Sequence, residues 1–401
     1  EEDGEAAFRR LESALCKELS AATDQVIATG GGALVDAENR AALMHSGQVI
    51  CLTIEPVEVL NRVGDDETRP LLNGSDPERA VRRLMEARES AYARIPWQVE
   101  TTGRSIEAVV DEVVNLAASQ MLRVSHPSGS YEIAIGSGLL DYAGGSVRAL
   151  GLPMGTLVVL VTNDVVGPLY ADDVIASLRG AGLQPFVHTL RDGEAHKRLA
   201  SVREIYDACL SAGMDRGGAV VALGGGVTGD IAGFAAATYM RGVRFVPLPT
   251  SLLAMTDASV GGKTGVDLPQ GKNLVGAFKQ PERVLIDVDV LHTLPEDEFR
   301  SGMAEVIKHG VIGEPVLFEA LAGGPPDGVL TLDPALLARS IRVKIEIVEQ
   351  DPFEGGRRAV LNLGHTAGHA LERLSGFTLR HGEAVSIGLV VVARIAERMG
   401  R

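Results

Sequence analysis

The chain has 401 residues, 45% of them apolar and 23% charged, enough for two or three ordinary globular domains. Its formal net charge of −15 excludes the broadly basic surface of a nucleic-acid or membrane-surface binder, so an anionic ligand must be met by cations gathered locally. Cys16, Cys51 and Cys209 are too scattered for a disulfide framework or a thiolate metal site. No apolar run approaches the ~20 residues of a membrane helix, the start is polar and acidic, and the expected compartment is the cytoplasm.

Residues 1–118 alternate helical patterns with short apolar strands, QVIAT (25–29) and QVICLTI (48–54), around a Gly-, Asp- and Arg-rich segment at 61–76. Strands dominate from 122–138. Strand–helix alternation then runs through TLVVLVT (156–162), QPFVHTL (184–190), AVVALGGG (219–226), VRFVPLP (243–249) and RVLIDVD (283–289). That alternation predicts βαβ units and a parallel sheet. After Leu294-Pro295 the chain reads as helix almost throughout, with a turn expected at GGPPDG (323–328). The expected domains are 1–118, 122–295 and 296–401, all α/β except the last, which is helical.

Within AVVALGGGVTGDIAGF (219–234), Gly224, Gly226 and Gly229 fall between an apolar strand and a helix. Glycines there allow a tight turn and close backbone approach, and the helix N-terminus offers free N–H groups to a pyrophosphate. Asp230 follows, where a carboxylate also suits the helix dipole. GGKTG (261–265) is not a P-loop, because Asp257 stands where GxxxxGK[ST] requires its first glycine. Lys263 is better read as a cation on a flexible loop, with Lys272 beside it. Only seven of the 38 cationic side chains are lysines, and five of those (Lys197, Lys263, Lys272, Lys308, Lys344) lie in or beside the Gly- and His-rich stretches. A compact ammonium is not interchangeable with a guanidinium, so the placement points to a site.

His365 and His369 are spaced to share one helix face and could ligate one metal, but Thr366 occupies the Glu position of HExxH, which removes the metalloprotease reading. His381 and Glu383 open another helical pattern. Glu305 and Lys308 share a helix face, and neighbouring His309 is read as structural. Imidazole and carboxylate without thiolate suit zinc or another borderline divalent ion.

Residues from about 122 to 401 resemble the 3-dehydroquinate synthase family. The strings that carry this are DGEAHK (192–197), GGGVTGD (224–230), TYMRG (238–242), PTSLLAMTDASVGGKTGVDLPQGKN (249–273), GMAEVIKHG (302–310), NLGHTAGHALE (362–372) and HGEAV (381–385). The resemblance implies conversion of a phosphorylated seven-carbon keto acid to 3-dehydroquinate and phosphate, with NAD and zinc or cobalt. It implies a metal on Glu305, His365 and His381, leaving His369 as an unligated acid–base and phosphate-contacting residue. NAD would meet Asp192, Glu194, Lys197, Gly225, Gly226, Val227, Gly229, Asp230, Thr250, Ser251, Thr293 and Leu294. Substrate would meet Arg241, Asp257, Lys263, Lys272, Asn273, Lys308, Lys344, Arg358 and Asn362, with Glu354 nearby.

Residues 1–118 resemble the later part of shikimate kinase. DGEAAFRRLE (3–12) supplies Arg9, ATGGGALV (28–35) a Gly-rich turn centred on Gly31, RVGDDETRPLL (62–72) a lid with Arg69 facing ATP, and RESAY (88–92) Arg88 for a carboxylate. The family's P-loop and first acidic shikimate ligand would precede residue 1, and the synthase family continues past residue 401. A fragment whose first half does not phosphorylate shikimate is therefore the expectation. The whole reads as a bifunctional shikimate-pathway protein, expected as a homodimer. The alternatives are another NAD- and zinc-dependent sugar phosphate cyclase, a related metal-dependent alcohol dehydrogenase, or an inactive ligand-binding fragment.

Overall fold

A computed structural model describes residues 4–63, 76–324, 332–376 and 378–400. Arg69 and residues 325–328 of the expected turn lie outside the described residues. The chain divides into two compact units, Glu1–Ala118 with Gly145–Leu152, and Ser119–Gly144 with Pro153–Arg401. The α/β and helical stretches expected as separate domains after residue 122 thus fall in one compact unit.

In the first unit, α1 (Gly4–Leu19) and α2 (Ala37–Ser46) precede β1 (Ile50–Thr53), α3 (Pro56–Val63), α4 (Pro77–Tyr92), β2 (Trp97–Glu100) and α5 (Ile106–Ala117). The helix starts follow from capping chemistry. Asp36, Asp76 and Ser105 accept backbone N–H groups of α2, α4 and α5, and Pro77 takes the first turn of α4. β1 and β2 pair in parallel, Ile50 opposite Trp97. Cys16, Ala33, Leu34, Leu43 and Ile95 form a small core. The strand expected at 25–29 does not form. These residues are exposed and pair with no other strand among those described, and an isolated extended run has no ladder to hold it.

The second unit begins with an antiparallel pair, β3 (Gln120–His126) and β4 (Gly129–Gly136); the short α6 (Ala143–Arg148) follows in the chain, with its residues from Gly145 onward belonging to the first unit. Four parallel strands come next: β5 (Leu157–Asn163), β6 (Gln184–Leu190), β7 (Ala219–Gly224) and β8 (Arg244–Pro249), joined by α7 (Gly167–Gly180), α8 (Leu199–Ala212) and α9 (Gly226–Thr238). Their order is β6-β5-β7-β8. Every residue of β7 is buried, as expected of a strand covered on both faces, and Val159, Val161, Val220, Ile231, Phe234 and Phe245 share its core. The chain leaves β5 first to one side and later to the other. The crevice beyond the carboxyl ends of β5 and β7 is therefore a topological switch point, the usual ligand position in such sheets.

β9 (Lys263–Leu268) and β10 (Gly271–Phe278) form an antiparallel hairpin, and β11 (Arg283–Asp287) adds parallel to β4. The loop expected around Lys263 is thus the first residue of a strand, paired with Phe278. Its Gly-rich run hid a period-2 pattern. α10 (Glu296–Gly313), α11 (Pro315–Ala322), α12 (Pro334–Gln350), α13 (His365–Leu374) and α14 (His381–Arg398) complete the unit.

Candidate active site

Three helices converge on one point. Glu305 projects from the middle of α10, while His365 and His381 are the first residues of α13 and α14. Close packing makes this possible. A Cβ on Gly382 would lie 1.9 Å from the Ser301 carbonyl oxygen, so only glycine lets the first turn of α14 rest on α10 one turn before Glu305. Gly364, at φ 81°, turns the chain into α13 in a conformation that disfavours side chains. As a result, His365 Nε2 and His381 Nε2 each stand 3.8 Å from Glu305 Oε1.

The donor set fits a divalent ion. Two ligand atoms each about 2.0–2.2 Å from a tetrahedral metal are roughly 3.5 Å apart, close to these separations. Glu305 is 1% exposed, and neither carboxylate oxygen receives a well-directed hydrogen bond, although the Lys308 ammonium forms an ion pair with it. Burial pushes its carboxyl pKa up against the pull of Lys308, a cost that a cation relieves. Burial, then Lys308, lowers the His365 pKa to about 4, and its Nδ1 lies 3.2 Å from the Leu363 carbonyl, which leaves a neutral Nε2 facing the other two ligands.

His369 stays outside the triad. Its side chain is 58% exposed, and its ring centroid is 5.4 Å from that of His365. His309 points the other way, buried with Nδ1 2.9 Å from Ser340 Oγ, and burial beside Lys308 and Lys344 lowers its pKa to about 3. Sequence reasoning missed Glu372, whose Oε1 is 3.4 Å from His381 Nδ1. Its position two helical turns after His365 was the available signal.

A cleft of about 580 Å³ opens beside the triad, walled by Asp230, Asp257, Lys263, Asn273, Lys308, Lys344, Glu354, Arg358, Asn362 and His365 among others. Asp257 sits in a π-helical turn, Ala254–Ala258, and meets Lys344 of α12 with Nζ 2.5 Å from Oδ1. Burial alone would raise the Asp257 pKa. Lys344 and then Lys308 outweigh that and hold it well below the usual carboxylate range, with 41% of the side chain still reached by solvent. Lys263 pairs with Glu354 at 2.5 Å, and Glu354 is held at φ 60°. Lys272 pairs with Glu194 at 3.2 Å.

Lys197 is 5% exposed. Its Nζ lies 2.5 Å from Asp230 and 2.6 Å from Asn273 Oδ1. An ion pair normally lowers its carboxylate, yet burial prevails here and pushes Asp230 up to about 6. Asn273 sits at φ 55°, fixed by its N–H donating to Asp267 Oδ1 at 2.7 Å.

Arg358 and Arg241 are placed differently from the lysines. The Arg358 guanidinium, in a residue 2% exposed, donates to the Gly261 and Pro352 carbonyls, so it clamps two loops from its place on the cleft wall. Gly261, at φ 94°, turns its carbonyl toward that clamp. Arg241 lies past the C-terminal end of the 13-residue α9, about 20 Å along the helix from Gly226, and does not wall the cleft.

At the switch point Gly225 caps α9 without any side-chain hydrogen bond, so the N–H groups of its first turn face outward uncapped, as a pyrophosphate requires. Thr250 N–H donates to the Gly224 carbonyl at 3.0 Å, and Ser251 packs against Gly225. Val227 and Gly229 follow on α9. Asp192 Oδ1 accepts from Asn163 Nδ2 at 2.8 Å, and Asn163, at the end of β5, is another residue sequence reasoning missed. Thr293 closes a 3-10 turn before Leu294, its hydroxyl bonded to that of Tyr170.

In the first unit, Arg9 and Arg88 both approach the Gly-rich turn. A Cβ on Gly32 would lie 2.6 Å from Arg9 Nη1, one on Gly31 3.2 Å from Arg88 Nη1, and the Tyr92 hydroxyl donates to the Gly31 carbonyl.

Residues 187–301 and 302–401 match the family models for 3-dehydroquinate synthase N-terminal and C-terminal regions, and residues 1–118 match that of shikimate kinase. A 3-dehydroquinate synthase of Synechococcus sp. is 50% identical over 70% of this chain and 78% of its own length. One from Geobacter metallireducens is 51% identical over 70% and 79%. Among solved structures, 2-deoxy-scyllo-inosose synthase complexed with carbaglucose-6-phosphate, NAD+ and Co2+ superposes with TM-score 0.62 at 27% identity, covering 70% of this chain and 78% of that one. The 2-epi-5-epi-valiolone synthase of Streptomyces hygroscopicus, with NAD+ and Zn2+ bound, gives 0.60 at 29% over the same shares. The chain belongs to the 3-dehydroquinate synthase family.

Proposed function

We propose that this chain is a 3-dehydroquinate synthase, converting 3-deoxy-D-arabino-heptulosonate 7-phosphate to 3-dehydroquinate and phosphate. The observation that carries the reading is the buried Glu305 carboxylate, without directed hydrogen bonds, facing His365 and His381 at 3.8 Å beside a cleft rich in lysine. Glu305, His365 and His381 would hold zinc or cobalt, and the Gly225–Gly226 turn with Asp192, Lys197 and Asp230 would hold NAD. Bound there, the metal would polarise a substrate hydroxyl while NAD takes up and later returns a hydride without net consumption.

The chain's own groups divide the remaining work. Lys263, Lys344, Lys308 and Lys272 bring positive charge to the phosphate and carboxylate of the substrate, and Asn273 and Asn362 supply neutral hydrogen-bonding partners. Proton movement at the departing phosphate falls to His369, a role its 58% exposure and position beside the triad support. Arg358 acts indirectly, by holding the loop that carries Lys263. The assembly we propose is a homodimer. For residues 1–118, the approach of Arg9 and Arg88 to the Gly31 turn supports recognition of the shikimate carboxylate.

The deciding experiment is phosphate release from the keto-acid phosphate with NAD and zinc present, in the parent and in His381→Ala. Release should fall at least 100-fold in the variant, together with bound zinc. Zinc retained at full stoichiometry in His381→Ala would overturn the ligand assignment. The likeness to two cyclases of other sugar phosphates favours one second reading, a cyclase with a different substrate. Turnover of a sugar phosphate that lacks a carboxylate, with none of the keto acid, would decide for it.

A further inference from the structure

We infer that Glu372 is a positioning residue that fixes His381 for the metal. The inference rests on the metal reading above and adds a group that neither helix pattern nor motif assigned to the site. Glu372 is 8% exposed, on the buried side of α13, and a carboxylate so placed needs a partner. Its Oε1 lies 3.4 Å from His381 Nδ1, and its Oε2 lies 4.0 Å from His369 Nδ1. The three rings crowd together, with centroids 5.1 Å apart for His365 and His381 and 6.0 Å for His369 and His381.

The geometry follows from helix spacing. His365, His369 and Glu372 stand at i, i+4 and i+7 on one stripe of α13, and α14 packs its first residue, His381, against that stripe. A carboxylate on Nδ1 holds the proton there, so Nε2 presents its lone pair, and Nε2 is the atom 3.8 Å from Glu305. His365 obtains the same service from a backbone carbonyl, Leu363, at 3.2 Å. The two ligands are thus oriented by chemically different partners, and only the one on His381 can be removed by substitution. The other oxygen, 4.0 Å from His369 Nδ1, is beyond hydrogen-bond reach, so the orienting contact is the one to His381.

Zinc affinity of the purified full chain, without substrate, tests this by competition with a chromophoric chelator in the parent, Glu372→Gln, Glu372→Ala and His381→Ala. NAD binding and the melting temperature of the metal-free proteins report on folding. Glu372→Gln keeps the shape and removes the charge, and its zinc affinity should fall about 10–100-fold with NAD binding unchanged. The cobalt-substituted protein should show an altered visible spectrum in the same variant, which a purely structural role would leave alone. Affinity within two-fold of the parent in Glu372→Gln overturns the inference, even if Glu372→Ala is weakened, because packing then suffices. If His381→Ala also keeps parental affinity, the metal reading itself fails, a result distinct from failure of the inference alone.

Discussion

Lys344 offers the most direct test of how the cleft is held together. Its side chain is 5% exposed, and its ammonium is bonded to the carboxylate and the backbone carbonyl of Asp257. Asp257→Asn keeps the volume and one oxygen acceptor but removes the charge. Breaking a fully buried ion pair from one side costs about 3–5 kcal/mol, but solvent reaches 41% of the Asp257 side chain, and screening there brings the expectation down to about 2 kcal/mol. For a unit of this size that is a fall of roughly 4 °C in Tm.

The pH dependence sharpens the test. Lys344 and Lys308 depress the folded-state pKa of Asp257, so its stabilisation is fully present above the unfolded carboxylate value, about 4. It is lost as pH falls through the lower folded value. Calorimetry of metal-free protein should therefore show the parent exceeding Asp257→Asn at pH 7, with the gap closing below about pH 4. Equal melting temperatures at pH 7, or a gap that widens in acid, would refute the reasoning.

Two further outcomes follow from the same geometry. Gly382→Ala places a methyl 1.9 Å from the Ser301 carbonyl, which should cost about 1–3 kcal/mol or more and move His381 from Glu305. Bound zinc measured by metal analysis should drop well below one per chain, and a fully loaded variant would count against the packing argument. Asp230→Asn addresses a carboxyl whose pKa burial raises to about 6. A raised carboxyl binds more protons folded than unfolded, so the parent should lose stability relative to the variant as pH rises from about 4 to about 6, then run parallel. A flat difference in Tm across that window would show that Asp230 is not so perturbed.

Much of the site was readable because its chemistry depends on residue type. Glu305, His365 and His381 stand in segments whose apolar periodicity places them on helices, while their grouping as one ligand set came from the family resemblance; of the five lysines marked by the uneven use of lysine, Lys263, Lys308 and Lys344 wall the cleft. What could not be read depends on distance along the chain. Nothing in local spacing says that Asp257 meets Lys344, that Asn163 holds Asp192, or that the Arg358 guanidinium turns back onto Gly261. The hairpin carrying Lys263 was hidden because glycines at 265, 271 and 276 erase the alternation that announces a strand. QVIAT erred the other way, since propensity without a pairing partner does not make a strand.

Each of these five lysines already has a carboxylate from the chain itself: Lys197 with Asp230, Lys263 with Glu354, Lys272 with Glu194, Lys308 with Glu305 and Lys344 with Asp257. A protein of net charge −15 thus keeps its cations as a set of compensated pairs. An arriving anion does not meet a bare positive field; at each cation it takes it shares the ammonium with a resident carboxylate or displaces it. Small monovalent anions gain little from one such contact. A molecule carrying a phosphate and a carboxylate on one skeleton can make several at once, so selection here acts on how many negative groups are joined and how far apart they sit.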